Sequence, residues 1–357
     1  MNAARKRARR PWLWPLVPVY GAVTRLRREL SGWGLTRRHW LEAPVISIGS
    51  CSAGGAGKTP VVLLLAQSLA RRGYEVRVLT RGYGRLSNGV ERVNPEGDAA
   101  WYGDEPMLLA RRSGAPVFVG ANRYEAGLLA ENDVDENRIA VHLLDDGFQH
   151  WRLGRDIDVV LLTREDMEDT LLPAGNLRES LAALRDADVI VLREEELAST
   201  EGLVESLRRG ERAPLVWVVR RGLTLLQDGG TRDTAARKVE RPVAFCGIAR
   251  PEGFAAMLAA CGVVAATSVV FADHHPYADA DMSRLIEAAT ESGADGFVTT
   301  EKDAVKLTDA MRARLETIGL VITARLELEL LDERAAMDRM IARVRAMERR
   351  RGRKVWR

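Results

Sequence analysis

The chain has 357 residues, more than one typical hydrophobic core holds, so length alone sets an expectation of two or three domains, with two as the starting number. Apolar residues make up 46% and charged residues 29%, which excludes a disordered chain and a fully membrane-embedded one. A net charge of +3 from 53 basic and 50 acidic residues names no partner, and the three cysteines, Cys51, Cys246 and Cys261, have neither pairing nor metal-ligand spacing, which suits a reducing compartment.

The chain begins with a basic run, Arg5-Lys6-Arg7-Ala8-Arg9-Arg10, followed by an apolar, aromatic stretch from Pro11 to Val23 and a second basic cluster at Arg25-Leu26-Arg27-Arg28. A helix needs about 20 apolar residues to cross a bilayer, so this stretch, broken by Pro11, Pro15 and Pro18, is too short to span. It also lacks the small-residue cleavage site of a secretory signal. Trp and Tyr between basic flanks instead predict that residues 1–40 form an arm lying in the membrane interface, without crossing it. The basic tail Arg349 to Lys354 suits anionic headgroups, nucleic acid or a solvated end, and the chain carries no aromatic base-stacking pattern to favour nucleic acid. No obligate protein partner is expected.

From Pro44 onward β-branched runs alternate with helical patterns, the signature of a parallel sheet covered by helices. Strands are predicted at Val45 to Ile48, Val76 to Leu79, Val117 to Val119, Val141 to Leu144, Ile157 to Leu162, Val189 to Leu192 and Leu215 to Val219. Helices are predicted at Thr59 to Arg72, Glu105 to Arg112, Arg123 to Ala130, Leu177 to Leu184 and Glu196 to Arg208. This gives an α/β nucleotide-binding domain over residues 41–222. A polar stretch, Leu223 to Lys238, reads as a linker or hairpin, with the linker set at residues 223–240. A second, smaller α/β domain follows over 241–357, with strands near Val243 to Cys246, Val269 to Phe271 and Phe297 to Thr299, helices near Glu252 to Ala260 and Asp281 to Ser292, and a final helix from Glu333 to Arg349.

The strongest motif follows the first strand: Ser52-Ala53-Gly54-Gly55-Ala56-Gly57-Lys58-Thr59, then an amphipathic helix. Glycines let successive backbone N–H groups turn towards phosphate oxygens, and the helix N-terminus adds its partial positive charge. Lys58 would reach the β- and γ-phosphates of ATP and the Thr59 hydroxyl would bind Mg²⁺. The motif's usual first glycine is replaced by Ser52. Asp145 and Asp146 end a buried strand, and the carboxyl ends of parallel strands share one edge, so both acids are expected beside Thr59. Gly103-Asp104-Glu105-Pro106 opens a helix, while Phe271-Ala272-Asp273-His274-His275 ends a strand of the second domain and offers imidazoles beside a carboxylate.

Taken together these blocks resemble one family, the tetraacyldisaccharide 4'-kinases, also called lipid A 4'-kinases. The matching residues are Gly54 to Pro60, Arg81 to Arg85, Gly103 to Pro106, Asp145 to His150, Gly175 to Glu179, Asp273 to His275 and Thr300 to Asp303, in the family's order and over nearly the whole chain. Ser50 stands where the family pattern suggests Asn. The resemblance implies two α/β/α domains joined by a strand linker, with the active site between them. It implies ATP-dependent phosphorylation of the 4'-hydroxyl of a tetraacylated disaccharide 1-phosphate, forming lipid IVA at the cytoplasmic face of the inner membrane. It further implies Asp104 as general base with His274 as its partner, Glu105 assisting Mg²⁺, and Asp145 and Asp146 in Walker-B-type work. Arg178 and Arg123 would meet anionic phosphate, with Glu179 and Tyr83 in the same substrate-binding set. The alternative class is a membrane-surface NTPase switch without an acceptor. Such switches usually carry a lysine early in the loop, where this chain has Ser52 or Ala53, and Thr300-Glu301-Lys302-Asp303 lacks the Asn of a guanine-reading motif.

Overall fold

The computed structural model describes residues 10–33, 38–55, 57–132, 138–209, 213–227 and 239–350. Its strands are β1 (Val45–Ser50), β2 (Glu75–Thr80), β3 (Glu91–Arg92), β4 (Val117–Val119), β5 (Ala140–Asp145), β6 (Ile157–Leu161), β7 (Val189–Arg193), β8 (Leu215–Leu226), β9 (Val243–Cys246), β10 (Thr267–Val270), β11 (Phe297–Thr300) and β12 (Val321–Leu330). They form one twelve-stranded sheet in the order β10-β9-β11-β12-β8-β7-β6-β1-β5-β2-β4-β3. The architecture is α/β and P-loop NTPase-like in its first half.

Two runs of parallel strands, β8-β7-β6-β1-β5-β2-β4 and β10-β9-β11-β12, meet through one antiparallel pair. That pair joins β8 to β12 from Leu226↔Thr323 to Val219↔Leu330. The polar stretch expected as a linker therefore begins inside a strand, because Leu223–Leu226 pairs with β12; residues 228–238 lie outside the described set. β12 was not among the expected strands. Its Leu326, Leu328 and Leu330 alternate with Arg325, Glu327 and Glu329, the pattern of an antiparallel strand with two unlike faces.

The second lobe does not retain the helix Glu333–Arg350. Met337, Met340 and Val344 of the helix Glu333–Arg350 are buried in the same cluster as Val61, Leu65 and Leu69 of the helix Lys58–Ala70. The expected boundary at 241–357 is corrected accordingly: apolar burial draws the last helix onto the first lobe. A separate cluster of Phe245, Phe297, Met282, Leu285 and Leu315 cores the second lobe.

At the centre of the first lobe β1 is buried at all six positions, as a parallel strand covered on both faces must be. Gly49 is the tight point. A Cβ there would stand 2.4 Å from Phe148 Cβ and 2.9 Å from the Phe148 backbone N, so neighbouring backbone has to move. Gly49→Ala is expected to lower stability by about 1–3 kcal/mol. A chemical denaturation midpoint unchanged from the parent would contradict this packing.

The N-terminal arm winds as a 3₁₀ turn, Pro11–Leu16, and continues as a helix, Val17–Gly32; Pro18 sits in its first turn, where a missing N–H costs nothing. Tyr20 OH donates to the Arg178 carbonyl at 3.2 Å, and Arg28 pairs with Glu179 and Asp186. The Arg28 guanidinium also lies 4.9 Å from the Phe148 ring centroid and 5.0 Å from that of Trp151. Trp12, Trp14, Val19, Val23 and Leu26 stay more than half exposed.

The segment expected to be a helix from Leu177 to Leu184 is mostly not one. Leu177 makes isolated bridges to Ser52 and Leu171, and only Leu181–Asp186 winds, as a 3₁₀ turn. Backbone groups that a helix would consume are bonded instead to the loop after β1: Ala53 N donates to Asn176 O at 2.8 Å and Arg178 N to Cys51 O at 2.7 Å.

Candidate active site

The loop after β1 turns through left-handed glycines, Gly54 at φ 70°, Gly55 at φ 62° and Gly57 at φ 90°, a region that costs glycine little. Gly57 caps the helix Lys58–Ala70, whose first backbone N–H groups have no intrahelical partner and suit an anion. Ala56 lies outside the described residues. Ala53, Gly54, Gly55, Gly57, Lys58 and Thr59 all line a cleft of about 1310 Å³ between the lobes. Ser52 does not. It is fully buried and bridged to Leu177, a correction to its expected place on the nucleotide.

β5 neighbours β1 and delivers two acids to the same edge. Asp146 is held by Lys58 Nζ at 3.3 Å and by Arg178 Nη1 at 2.9 Å. Burial would raise its carboxyl, but those two cations outweigh it and hold the group down at about 2. Asp145 accepts from Thr80 Oγ1 at 3.0 Å and is pushed up to about 7, chiefly by burial and then by the charges of Glu105 and Asp146. The first lobe thus gathers negative charge next to Lys58, the arrangement a divalent cation would neutralise.

The second lobe brings its own groups. His274 Nδ1 lies 3.0 Å from Asp104 Oδ2 and 3.2 Å from Oδ1, although 170 residues separate the two in sequence. Lys302 Nζ sits 3.2 Å from His274 Nε2 and 3.2 Å from Glu105 Oε1. An ammonium only donates, so Nε2 is the accepting nitrogen and Nδ1 carries the hydrogen given to Asp104. Burial opposes the charge on Asp104, yet the His274 hydrogen bond and Lys302 leave its carboxyl below the usual range. The bond to Asp104 raises His274 above its ordinary value against burial and Lys302. Tyr83, on the cleft wall, places its ring 5.6 Å from the His274 ring.

His274 adopts φ 60°, an uncommon backbone region for a residue with a side chain, so its turn needs support. Its N–H donates to Gly247 O at 3.2 Å, and Gly247 N in turn donates to the buried Asp303 at 3.0 Å. Asp303 also accepts from Thr300 Oγ1 at 2.6 Å and pairs with Lys306 at 2.8 Å.

Two expected substrate residues stand off the cleft. Glu179 is buried and tied to Arg28 of the N-terminal helix, so its carboxylate fastens the arm and does not face a ligand. Arg123 is buried and donates to the Ala121 carbonyl at 2.7 Å; burial, with Arg81 beside it, lowers its guanidinium to about 10. Arg81, not Arg123, lines the cleft, as does Arg178. Lys302, Asp303 and Arg250 received no role from sequence; the block Thr300 to Asp303 was a signal for the first two.

The sequence matches the family described as tetraacyldisaccharide-1-P 4'-kinase over residues 9–345. A tetraacyldisaccharide 4'-kinase of Koribacter versatilis is 39% identical over 345 residues, 95% of this chain and 99% of its own length. One of Geobacter metallireducens is 39% identical over 336 residues, 90% of this chain and 95% of its own. Among solved structures, the "apo" form of LpxK from Aquifex aeolicus in complex with ATP is 30% identical with a TM-score of 0.74, and the match covers 93% of this chain and 98% of that one.

Proposed function

The chain belongs to the tetraacyldisaccharide 4'-kinase family, and from that premise we propose how its residues move phosphate from ATP to the 4'-hydroxyl of a tetraacylated disaccharide 1-phosphate in lipid A biosynthesis. The carrying observation is that His274 and Asp104, from opposite lobes, meet at 3.0 Å beside the cleft that Lys58 lines.

Loop amides and Lys58 bind the triphosphate, with Lys58 leaving Asp146 to do so. Asp104 takes the proton of the acceptor hydroxyl. Both its oxygens face His274 here, so the incoming alcohol replaces one of these contacts while the other keeps the carboxylate oriented. A sugar hydroxyl is a weak nucleophile, so most of the acceleration comes from in-line placement and charge neutralisation. Mg²⁺ fits the oxygen set of Thr59, Asp145 and Glu105, and when bound it neutralises charge on the phosphates. The raised Asp145 carboxyl supports that fit.

A carboxyl titrating at about 7 is partly protonated near neutrality, and a cation binds its ionised form. Mg-ATP binding at that pH is therefore expected to release a proton from Asp145 and to release none well above it. Calorimetry in buffers of different ionisation enthalpy measures the proton count, with Asp145→Asn as the control for ATP's own protons. The same count in parent and variant would contradict the assignment.

The exposed Trp12, Trp14, Val19, Val23 and Leu26 face suits the cytoplasmic interface of the inner membrane, where a substrate with four acyl chains resides. No helix among the described residues is long and apolar enough to cross a membrane. Removal of residues before Arg25 is expected to abolish sedimentation with anionic liposomes; undiminished sedimentation would contradict this docking. The function itself is tested by incubating protein, ATP and the disaccharide 1-phosphate lipid and seeking a bisphosphorylated product by mass. ATP turnover without that product would instead indicate a switch.

A further inference from the structure

One arginine of the second lobe reaches over the phosphate-binding loop. Arg250 ends the turn after β9 and is the N-cap residue of the helix Pro251–Ala260. It lines the interlobe cleft with Lys58 and Thr59. A Cβ on Gly55 would stand 3.0 Å from Arg250 Nε and 3.2 Å from its Cγ, so the absence of a side chain at Gly55 is what lets this arginine lie against the loop. Its guanidinium then continues to the first lobe, with Nη1 3.1 Å from Glu165 Oε2 and Nη2 3.5 Å from Thr163 Oγ1.

We propose that Arg250 is a phosphate-binding residue supplied by the second lobe, one that exchanges Glu165 for the ATP phosphates and so couples nucleotide binding to the juxtaposition of the lobes. The proposal rests on the ATP-kinase reading and adds a nucleotide contact from the lobe that lacks the loop. Two observations and one point of chemistry carry it. The guanidinium passes over Gly55, 3.0 Å from where its Cβ would be, in the loop whose amides are the anion site. Its carboxylate partner is weakly held, because the Glu165 side chain is 47% exposed while that of Arg250 is only 20% exposed. A triphosphate brings more charge than one carboxylate and accepts a planar guanidinium through two parallel hydrogen bonds. Arg193, whose Nη2 would lie 3.8 Å from a Cβ on Gly57, approaches the same loop from the first lobe but is tied to the side chain of Glu196 at 2.9 Å. Arg250 is therefore a cation through which the second lobe can report on the nucleotide. The same lobe carries His274, so a phosphate contact there would hold it in the register with Asp104 that the structure already shows.

The test is the dissociation constant of Mg-ATP for the full-length protein and for Arg250→Ala, Arg250→Lys and Glu165→Gln, measured by titration calorimetry. Arg250→Ala is expected to weaken ATP by about 10- to 100-fold, the loss of a charge-assisted hydrogen bond, and Arg250→Lys by less. Glu165→Gln, which releases the guanidinium from its carboxylate, is expected to bind ATP as tightly as the parent or about two- to fivefold tighter. A dissociation constant for Arg250→Ala within about twofold of the parent would overturn the proposal. Equal weakening by Arg250→Ala and Glu165→Gln would also overturn it, since the pair would then act only as a strut between lobes. Absence of ATP binding by the parent is a separate result, counting against the kinase reading itself.

Discussion

Lys58→Ala is expected to abolish phosphoryl transfer, with a loss of about 1,000-fold or more in kcat. Lys58 is the first residue of its helix, and its ammonium is already placed, 3.3 Å from Asp146, with a side chain only 13% exposed. When ATP arrives the lysine changes partner without first having to be ordered, which is the preorganisation that charge-neutralising catalysis depends on. Removing it has a second consequence. Asp146 would keep only Arg178 nearby, and the crowded acids Asp145, Asp146 and Glu105 would repel the triphosphate, so ATP affinity should fall as well. Single-turnover transfer at saturating ATP separates the two effects. A variant retaining more than about a tenth of the parent rate would remove Lys58 from the phosphate site.

Asp104→Asn is expected to cost about 100- to 10,000-fold in kcat while ATP affinity stays near that of the parent. Asparagine keeps the shape and can still accept the Glu105 N–H that Asp104 Oδ1 accepts at 3.0 Å, so the start of the helix should survive. What it loses is the capacity to take a proton. An equal loss of ATP affinity would show that the Asp104 charge supports the nucleotide site and would remove the case for it as the base. The pH dependence has a definite sign. The base must be ionised, and the Asp104 carboxyl lies below the usual carboxylate range despite its burial, because His274 and Lys302 favour its charge. Loss of transfer through this group should therefore begin only at a pH below that at which an ordinary aspartate protonates.

Much of the first lobe was legible because buried parallel strands are apolar throughout, and β1, β2, β4 and β5 fall on their predicted β-branched runs. The glycine turn after β1 was legible for a similar reason: Gly54, Gly55 and Gly57 take the left-handed backbone that glycine favours. β12 was missed because charged residues alternate through it, although Leu326, Leu328 and Leu330 carried the period-two signal. The error at Glu179 has another origin. Its partner, Arg28, lies 151 residues earlier, and nothing within the Gly175 to Glu179 block tells a carboxylate facing a ligand from one fastening a helix. Ser52 shows the same limit, since its motif position points to phosphate whereas the bridge to Leu177 turns it inward. Asp104 and His274 were paired through family resemblance; spacing within the sequence could not have joined them. The helix Glu333–Arg350 was found with nearly its observed ends, but the lobe it packs on is decided by tertiary burial.

The most direct test of the account is a double-mutant cycle on kcat for Asp104→Asn and His274→Ala, with ATP and the disaccharide 1-phosphate lipid both saturating. If Asp104 receives the proton and His274 acts through it, the double variant should be about as slow as Asp104→Asn alone. If the two losses multiply, His274 acts independently of Asp104, and the shared base spanning the two lobes is wrong.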